Sequence, residues 1–110
     1  MRPVFDLKEL SDILHAQDVV LIYFSNETCN VCKVLRPKVS ELKGMQFPKA
    51  ELIYIDTEKS PLIAGQHRVF TIPTILLYIQ GKEQARFSRN INMFELESAI
   101  AKPYGIIFED

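Results

Sequence analysis

The amino-acid sequence predicts an α/β fold: a central mixed sheet of four to five strands, flanked by helices, in a single domain spanning 1–110. Two observations carry this. Short, nearly unbroken apolar runs, "VVLIYF" (19–24) and "AELIYID" (50–56), alternate with segments of helical periodicity, the pattern of strands buried on both faces under covering helices. A hairpin signal follows in the second half, "PTILLYI" (73–79) and "EQARFS" (83–88) around "QGK" (80–82), so this strand pair must be antiparallel.

Asp6 followed by Glu9 makes a capping pair, and Leu7, Leu10, Ile13 and Leu14 recur at helical spacing, so the first helix spans 7–16. "DVVLIYFS" (18–25), rich in β-branched and aromatic residues and short for a helix, is the first buried strand. Over 30–43, Val31, Val34, Leu35, Val39 and Leu42 mark the apolar face of a second helix. Pro37 should kink it, because proline lacks an amide proton and its ring crowds the preceding turn; Gly44 is the expected stop. The strand 50–56 comes next, then a helix over 60–67 with Ser60 as cap and Pro61 in its first position. After the hairpin, "NINMFELESAIAK" (90–102) puts Met93 or Phe94, Leu96, Ala99 and Ile100 on one stripe of a last helix, closed by Pro103. The remaining "YGIIFED" (104–110) has an apolar centre that fits either an extra strand or a turn. Tyr23, Phe24, Tyr54, Phe70, Tyr78 and Phe87 mostly fall in predicted strands and are expected in the core.

With 47% hydrophobic and 25% charged residues, the composition is that of an ordinary globular domain able to bury a core without staples. A net charge of −1 gives no broad attraction for nucleic acid or for an anionic membrane surface, so neither is an expected partner. The apolar runs are too short to span a bilayer. Arg2, Asp6, Lys8 and Glu9 interrupt the first residues, unlike a secretory signal, and the expected location is the cytoplasm. There, a cysteine pair serves catalysis or metal binding more often than a structural disulfide.

Both cysteines stand in "SNETCNVCKVLRP" (25–37), between the first buried strand and the second helix. Taken alone they fit three readings: a reactive pair, two metal ligands, or two small core residues. Structural zinc needs four ligands, and His15 and His67 carry no ligand spacing, so a metal site would require two chains to pool their pairs; neither a metal nor an organic cofactor is expected. For the reactive reading, the spacing puts both sulfurs on one side of the first helical turn. Unpaired N–H groups and the positive end of the helix dipole there favour a thiolate. A thiol of pKa about 8.5 is only a few per cent ionised at neutral pH, whereas one lowered to about 7 is half ionised. Cys29, nearer the exposed loop, is the expected nucleophile, and Cys32, one turn in, the resolving thiol.

From the buried strand through Cys-x-x-Cys, Pro37, the segment 56–61, "VFTIPTILLY" (69–78), the hairpin and the last helix, the chain resembles thioredoxins over nearly its whole length. The resemblance implies a thioredoxin fold and a thiol–disulfide oxidoreductase that reduces disulfide-containing proteins, with electrons from a reductase or a small thiol. It also implies a cis peptide bond before Pro73, facing the cysteines, and a backbone at Thr71 and Ile72 that pairs with an extended substrate segment.

The departures are specific. Thr28-Cys29-Asn30-Val31-Cys32 stands where thioredoxins have Trp-Cys-Gly-Pro-Cys, and the chain contains no Trp. Tyr23 and Tyr54 match the family's buried Asp and its Lys, and a tyrosine of pKa about 10 is a poor base at neutral pH. Glu27 would replace that base in part, while raising the Cys29 pKa as a neighbouring carboxylate. Tyr23, Glu27, Asn30, Val31 and Tyr54 are therefore the expected modulating residues. The same departures support an alternative reading, a thioredoxin-fold binding or metal-sequestering module with little redox activity.

Overall fold

One strand buried on both faces builds the molecule outward. The computed structural model describes residues 1–108. Its elements are β1 (Arg2–Pro3), α1 (Leu7–Ala16), β2 (Val19–Ser25), α2 (Asn30–Gln46), β3 (Glu51–Asp56), α3 (Pro61–Gln66), β4 (Thr74–Ile79), β5 (Lys82–Ser88) and α4 (Met93–Phe108). They form one five-stranded sheet of order β1-β3-β2-β4-β5, with β1, β3 and β2 parallel and β4 and β5 antiparallel. This is the mixed sheet the sequence predicts, with the two-residue β1 as an addition it did not signal.

All seven residues of β2 are buried. Val19, Leu21 and Tyr23 pack on one face with Leu35, Val39 and Leu42 of α2 and Leu96 and Ile100 of α4. Val20, Ile22 and Phe24 pack on the other with Leu10, Ile13 and Leu14 of α1 and Ile63 of α3. A strand whose successive side chains enter opposite cores must be apolar throughout, which is why it reads as a continuous run. Helix α1 starts as expected, with the Asp6 carboxylate accepting from the Glu9 N–H at 3.0 Å. The hairpin turns on Gln80 and Gly81, both at positive φ (50° and 84°), the backbone a two-residue I′-type connection requires.

Several boundaries differ from expectation. Gly44 does not stop α2, which continues to Gln46; Phe47 caps it by donating its N–H to Lys43 O at 2.9 Å, and Pro48 prevents further helix. Phe47 is buried, so the extra turn is held by packing. Ser60 occupies the cap position of α3 without making a side-chain cap bond, and its buried hydroxyl has no partner among the described residues; Pro61 sets the first turn instead. Strand β4 begins at Thr74, one residue after Pro73. Helix α4 begins at Met93 rather than near 90, because Asn92 Oδ1 accepts from the N–H groups of Phe94 and Glu95 at 2.9 and 3.1 Å. Of Met93 and Phe94, Met93 packs on the core and Phe94 is exposed.

Pro103 does not close α4, and the tail is neither strand nor turn: residues 104–108 continue the helix, while 109–110 lie outside the described residues. A proline inside a helix costs about 3 kcal/mol. Contacts beyond it offset that cost: the Tyr104 ring meets Phe47 edge-on at 5.1 Å and Phe108 at 4.7 Å, and its hydroxyl accepts the Lys49 N–H at 3.0 Å. Phe70 is also a correction: it is 83% exposed in the loop before β4, and Val69 takes the core position beside it.

Tyr104→Ala should lower the free energy of unfolding by about 2 kcal/mol in urea titrations, the loss of a half-buried aromatic and its hydrogen bond. No measurable change would show that the tail contributes nothing to the fold.

Candidate active site

Chain direction brings four segments to one end of the sheet. Strand β2 ends at Ser25, and Asn26 organises the following turn, its Oδ1 accepting from the Thr28 N–H at 3.0 Å and the Thr28 hydroxyl at 3.1 Å. That turn delivers Cys29 to the N-cap of α2. Antiparallel pairing of Phe24 with Thr74 sets Pro73 beside the same end of β2. The Ile72–Pro73 bond is cis, as the resemblance implies. The Pro73 carbonyl then accepts the N–H of Arg89 at 2.9 Å, which ties the segment after β5 to the same place.

Cys29 and Cys32 are disulfide-bonded, with Cα atoms 5.2 Å apart. Their environments differ. Cys29 is half-buried at the loop, whereas Cys32 is 1% exposed. Cys29 Sγ also accepts the Cys32 backbone N–H at 3.2 Å, so sulfur takes the part a Ser or Asp oxygen plays at other helix starts. Once the bond is reduced, a thiolate at Cys29 gains most from that N–H and from the helix dipole. No acidic residue occupies the first turn of α2 to oppose it.

Beneath the pair lies Tyr23, fully buried, whose hydroxyl donates to the Cys32 carbonyl at 2.8 Å. Burial pushes its pKa up to about 12, with Arg36 acting in the opposite direction and Tyr54 adding to the rise. Tyr23 is therefore a neutral strut under the first turn of α2 and holds no negative charge to accept a proton. Tyr54, in register with it on β3, stacks at 6.2 Å and 23°, and Arg36 lies over the Tyr54 ring at 4.2 Å. Burial raises the Tyr54 pKa as well, with Ser25 and Arg36 acting in the opposite direction and the charges of Asp56 and Glu27 adding to the rise. Glu27 is exposed and, among the described residues, hydrogen-bonds to neither cysteine. Asn30 and Val31, between the cysteines, are both exposed.

The predicted substrate edge is partly free. Thr71 O accepts the Thr74 hydroxyl at 2.7 Å, while Ile72 makes no backbone hydrogen bond among the described residues. Pro73 is buried, and Thr71 and Ile72 are half-buried. The two histidines stand elsewhere: His15 Nδ1 is 2.7 Å from Ser11 O, and His67 Nδ1 is 2.9 Å from Ile63 O. Among the described residues no group of three or more His, Cys, Asp or Glu is placed to hold a metal ion.

Two features escaped the sequence reading. Arg36 fell among the outward charges of α2, and only the position of Tyr54 on β3 reveals its stacking role. Val31 and Val34, assigned to the buried face, are 61% and 63% exposed. Cys32, Leu35, Val39 and Leu42 make the buried side of α2, and at about 3.6 residues per turn Val34 stands well off that arc and Val31 at its edge. The exposure leaves both valines beside Ile91 and Arg89 in one groove.

A half-exposed cysteine capping a helix, disulfide-bonded to a buried one and set beside a cis-proline on a mixed sheet, defines a thiol–disulfide oxidoreductase of thioredoxin fold. The comparisons agree. The Thioredoxin family model matches residues 5–102, and the chain belongs to the thioredoxin family. It is similar to thioredoxin-like protein YdfQ of Bacillus subtilis, 29% identical over 104 residues, covering 94% of this chain and 92% of that protein. It is 39% identical to thioredoxin of Chlamydia trachomatis over 71 residues, 64% of this chain and 69% of the relative. The solved structure of a mutant thioredoxin from Halobacterium salinarum superposes with a TM-score of 0.85 at 25% identity, covering 94% and 89% of the two chains.

The raised tyrosine pKa gives a pH prediction. Tyr23 titrates near 12 when folded against about 10 when unfolded, so its contribution to stability is complete below about pH 10 and is lost as pH rises toward 12. Urea unfolding from neutral pH to about 11.5 should show wild-type stability falling above about 10. Tyr23→Phe should cost about 1 kcal/mol at neutral pH, for the lost hydrogen bond, and then fall less steeply. Equal alkaline slopes would assign the loss to other groups.

Proposed function

We propose that the pair works in the reducing direction, as a protein-disulfide reductase in the cytoplasm. The asymmetry of the two sulfurs is the observation that supports it: one thiol reaches a partner and the other is protected until it is needed. In the dithiol form, Cys29 thiolate attacks a substrate disulfide, forming a mixed disulfide and releasing one substrate thiolate. Cys32, deprotonated, attacks Cys29 Sγ, which re-forms the Cys29–Cys32 bond and releases the second substrate thiolate. Two electrons pass from the pair to the substrate, and the two protons shed by the pair end on the substrate thiols or in solvent. A reductase or a small thiol then returns the electrons.

The resolving step lacks a base below it. Tyr23 stays protonated and is already donating to the Cys32 carbonyl, so Cys32 ionises without a buried carboxylate to take its proton. Thr71 and Ile72 are the segment along which an extended substrate would pair, and Asn30 and Val31, in place of Gly-Pro, set the potential of the couple.

Cys32→Ser should accumulate mixed disulfides through Cys29, visible as reducible adducts by mass spectrometry, while Cys29→Ser should reduce protein disulfides no faster than background. A Cys32→Ser variant that traps nothing would favour a binding module instead. In single-turnover measurements the wild-type resolving rate should climb with pH toward the ordinary thiol range near 8.5. A resolving rate already maximal below about pH 6 would reveal a base that Tyr23 does not provide.

A further inference from the structure

A groove of about 570 Å³ opens beside the disulfide, between the outer side of α2 and the segment joining β5 to α4. Val31, Val34 and Lys38 form much of one wall, and Arg89 and Ile91 much of the other. Val31 stands between the two cysteines in the chain, so the groove reaches the first turn of α2, the turn that carries the disulfide. The apolar part of that wall is open, since Val31 and Val34 are more than half exposed. The charge of the groove is one-sided: the lining contains two cations and no carboxylate, and neither cation makes an ion pair among the described residues. Lys38 also borders a neighbouring groove that holds Glu41 and Glu97, which leaves Arg89 as the cation with no acidic counterpart at either groove.

Arg89 is fixed relative to the substrate edge. Its N–H donates to Pro73 O at 2.9 Å, its own carbonyl accepts the Ile91 N–H at 3.0 Å, and its φ of 63° turns the chain sharply out of β5. The first of these bonds joins this wall of the groove directly to the segment 71–73, along which a substrate peptide would lie.

We infer that the groove selects disulfide-bearing segments of acidic-apolar character: a bulky apolar side chain next to the reacting cysteine, and a carboxylate a residue or two beyond it. The apolar side chain fills the space between Val31, Val34 and Ile91, and the carboxylate meets the Arg89 guanidinium. The inference rests on the protein-disulfide reductase reading and adds its substrate class. Apolar contact supplies affinity whatever the charge, while a solvent-exposed cation discriminates through attraction and like-charge repulsion. An exposed pair of this kind is worth a few-fold in rate, and the effect is screened by salt.

The test uses two disulfide-bridged peptides that carry Val beside each cysteine and differ only in a following Glu or Lys. Pre-reduced protein is mixed with each, and oxidation of the Cys29–Cys32 pair is followed by acid quench and thiol labelling. The Glu peptide should react about 3- to 10-fold faster at low ionic strength, with the ratio shrinking as salt rises. Arg89→Asn, which tolerates the positive φ, should bring the ratio close to one; Val34→Ser should slow both peptides by a similar factor. Equal wild-type rates, or a preference that survives Arg89→Asn, would overturn the inference while leaving the reductase reading intact. If reduced protein reacts with neither peptide, the reductase reading itself fails and the inference falls with it. A dimer in sedimentation experiments that Val34→Ser dissociates would assign the groove to a second copy of the chain and equally overturn it.

Discussion

Each segment of the site is attached, directly or through one neighbour, to β2, which has hydrogen-bonded strands along both edges and packed side chains on both faces. Such a strand cannot shift register by one residue without moving Tyr23 and Phe24 into the wrong cores, so its end is fixed in space. The turn leaving that end carries Cys29, and the antiparallel partner entering there carries Pro73. The site is thus positioned by a buried strand that itself holds no reactive group.

Within that frame, the support under the cysteines is neutral. A buried carboxylate would serve as a proton acceptor, but a buried tyrosine whose hydroxyl is committed to the Cys32 carbonyl provides position instead of proton transfer. In the Tyr23–Tyr54–Arg36 stack one cation of α2 is held over a ring, with no ion pair to an acid among the described residues. The N-terminus of α2 presents its positive end at Cys29, which favours a thiolate there. The surface beside the cysteines is equally distinctive: with no indole on the chain, exposed β-branched side chains and a cation of the loop after β5 form the ground a partner would meet.

The sequence by itself determined four of the five strands, the position of the cysteine pair at a helix start and the antiparallel character of the second half, because these follow from local periodicity and turn chemistry. Asp6 and Glu9, the run 19–24 and the Gln80-Gly81 turn each act within a few residues of themselves. Boundaries decided by distant contacts were not legible. Helix α2 passes Gly44 because Phe47 is buried, and α4 passes Pro103 because Tyr104 finds Phe47 and Lys49 more than fifty positions away in the chain. Likewise, nothing in the spacing of Val31, Arg36 and Arg89 shows that the first is uncovered, the second lies on Tyr54 and the third is tied to Pro73. Local chemistry names the reactive residues, since reactivity depends on residue type and helix position. Only the tertiary structure settles their surroundings, since burial, stacking and charge at a site are made by groups that are neighbours in space and not in sequence.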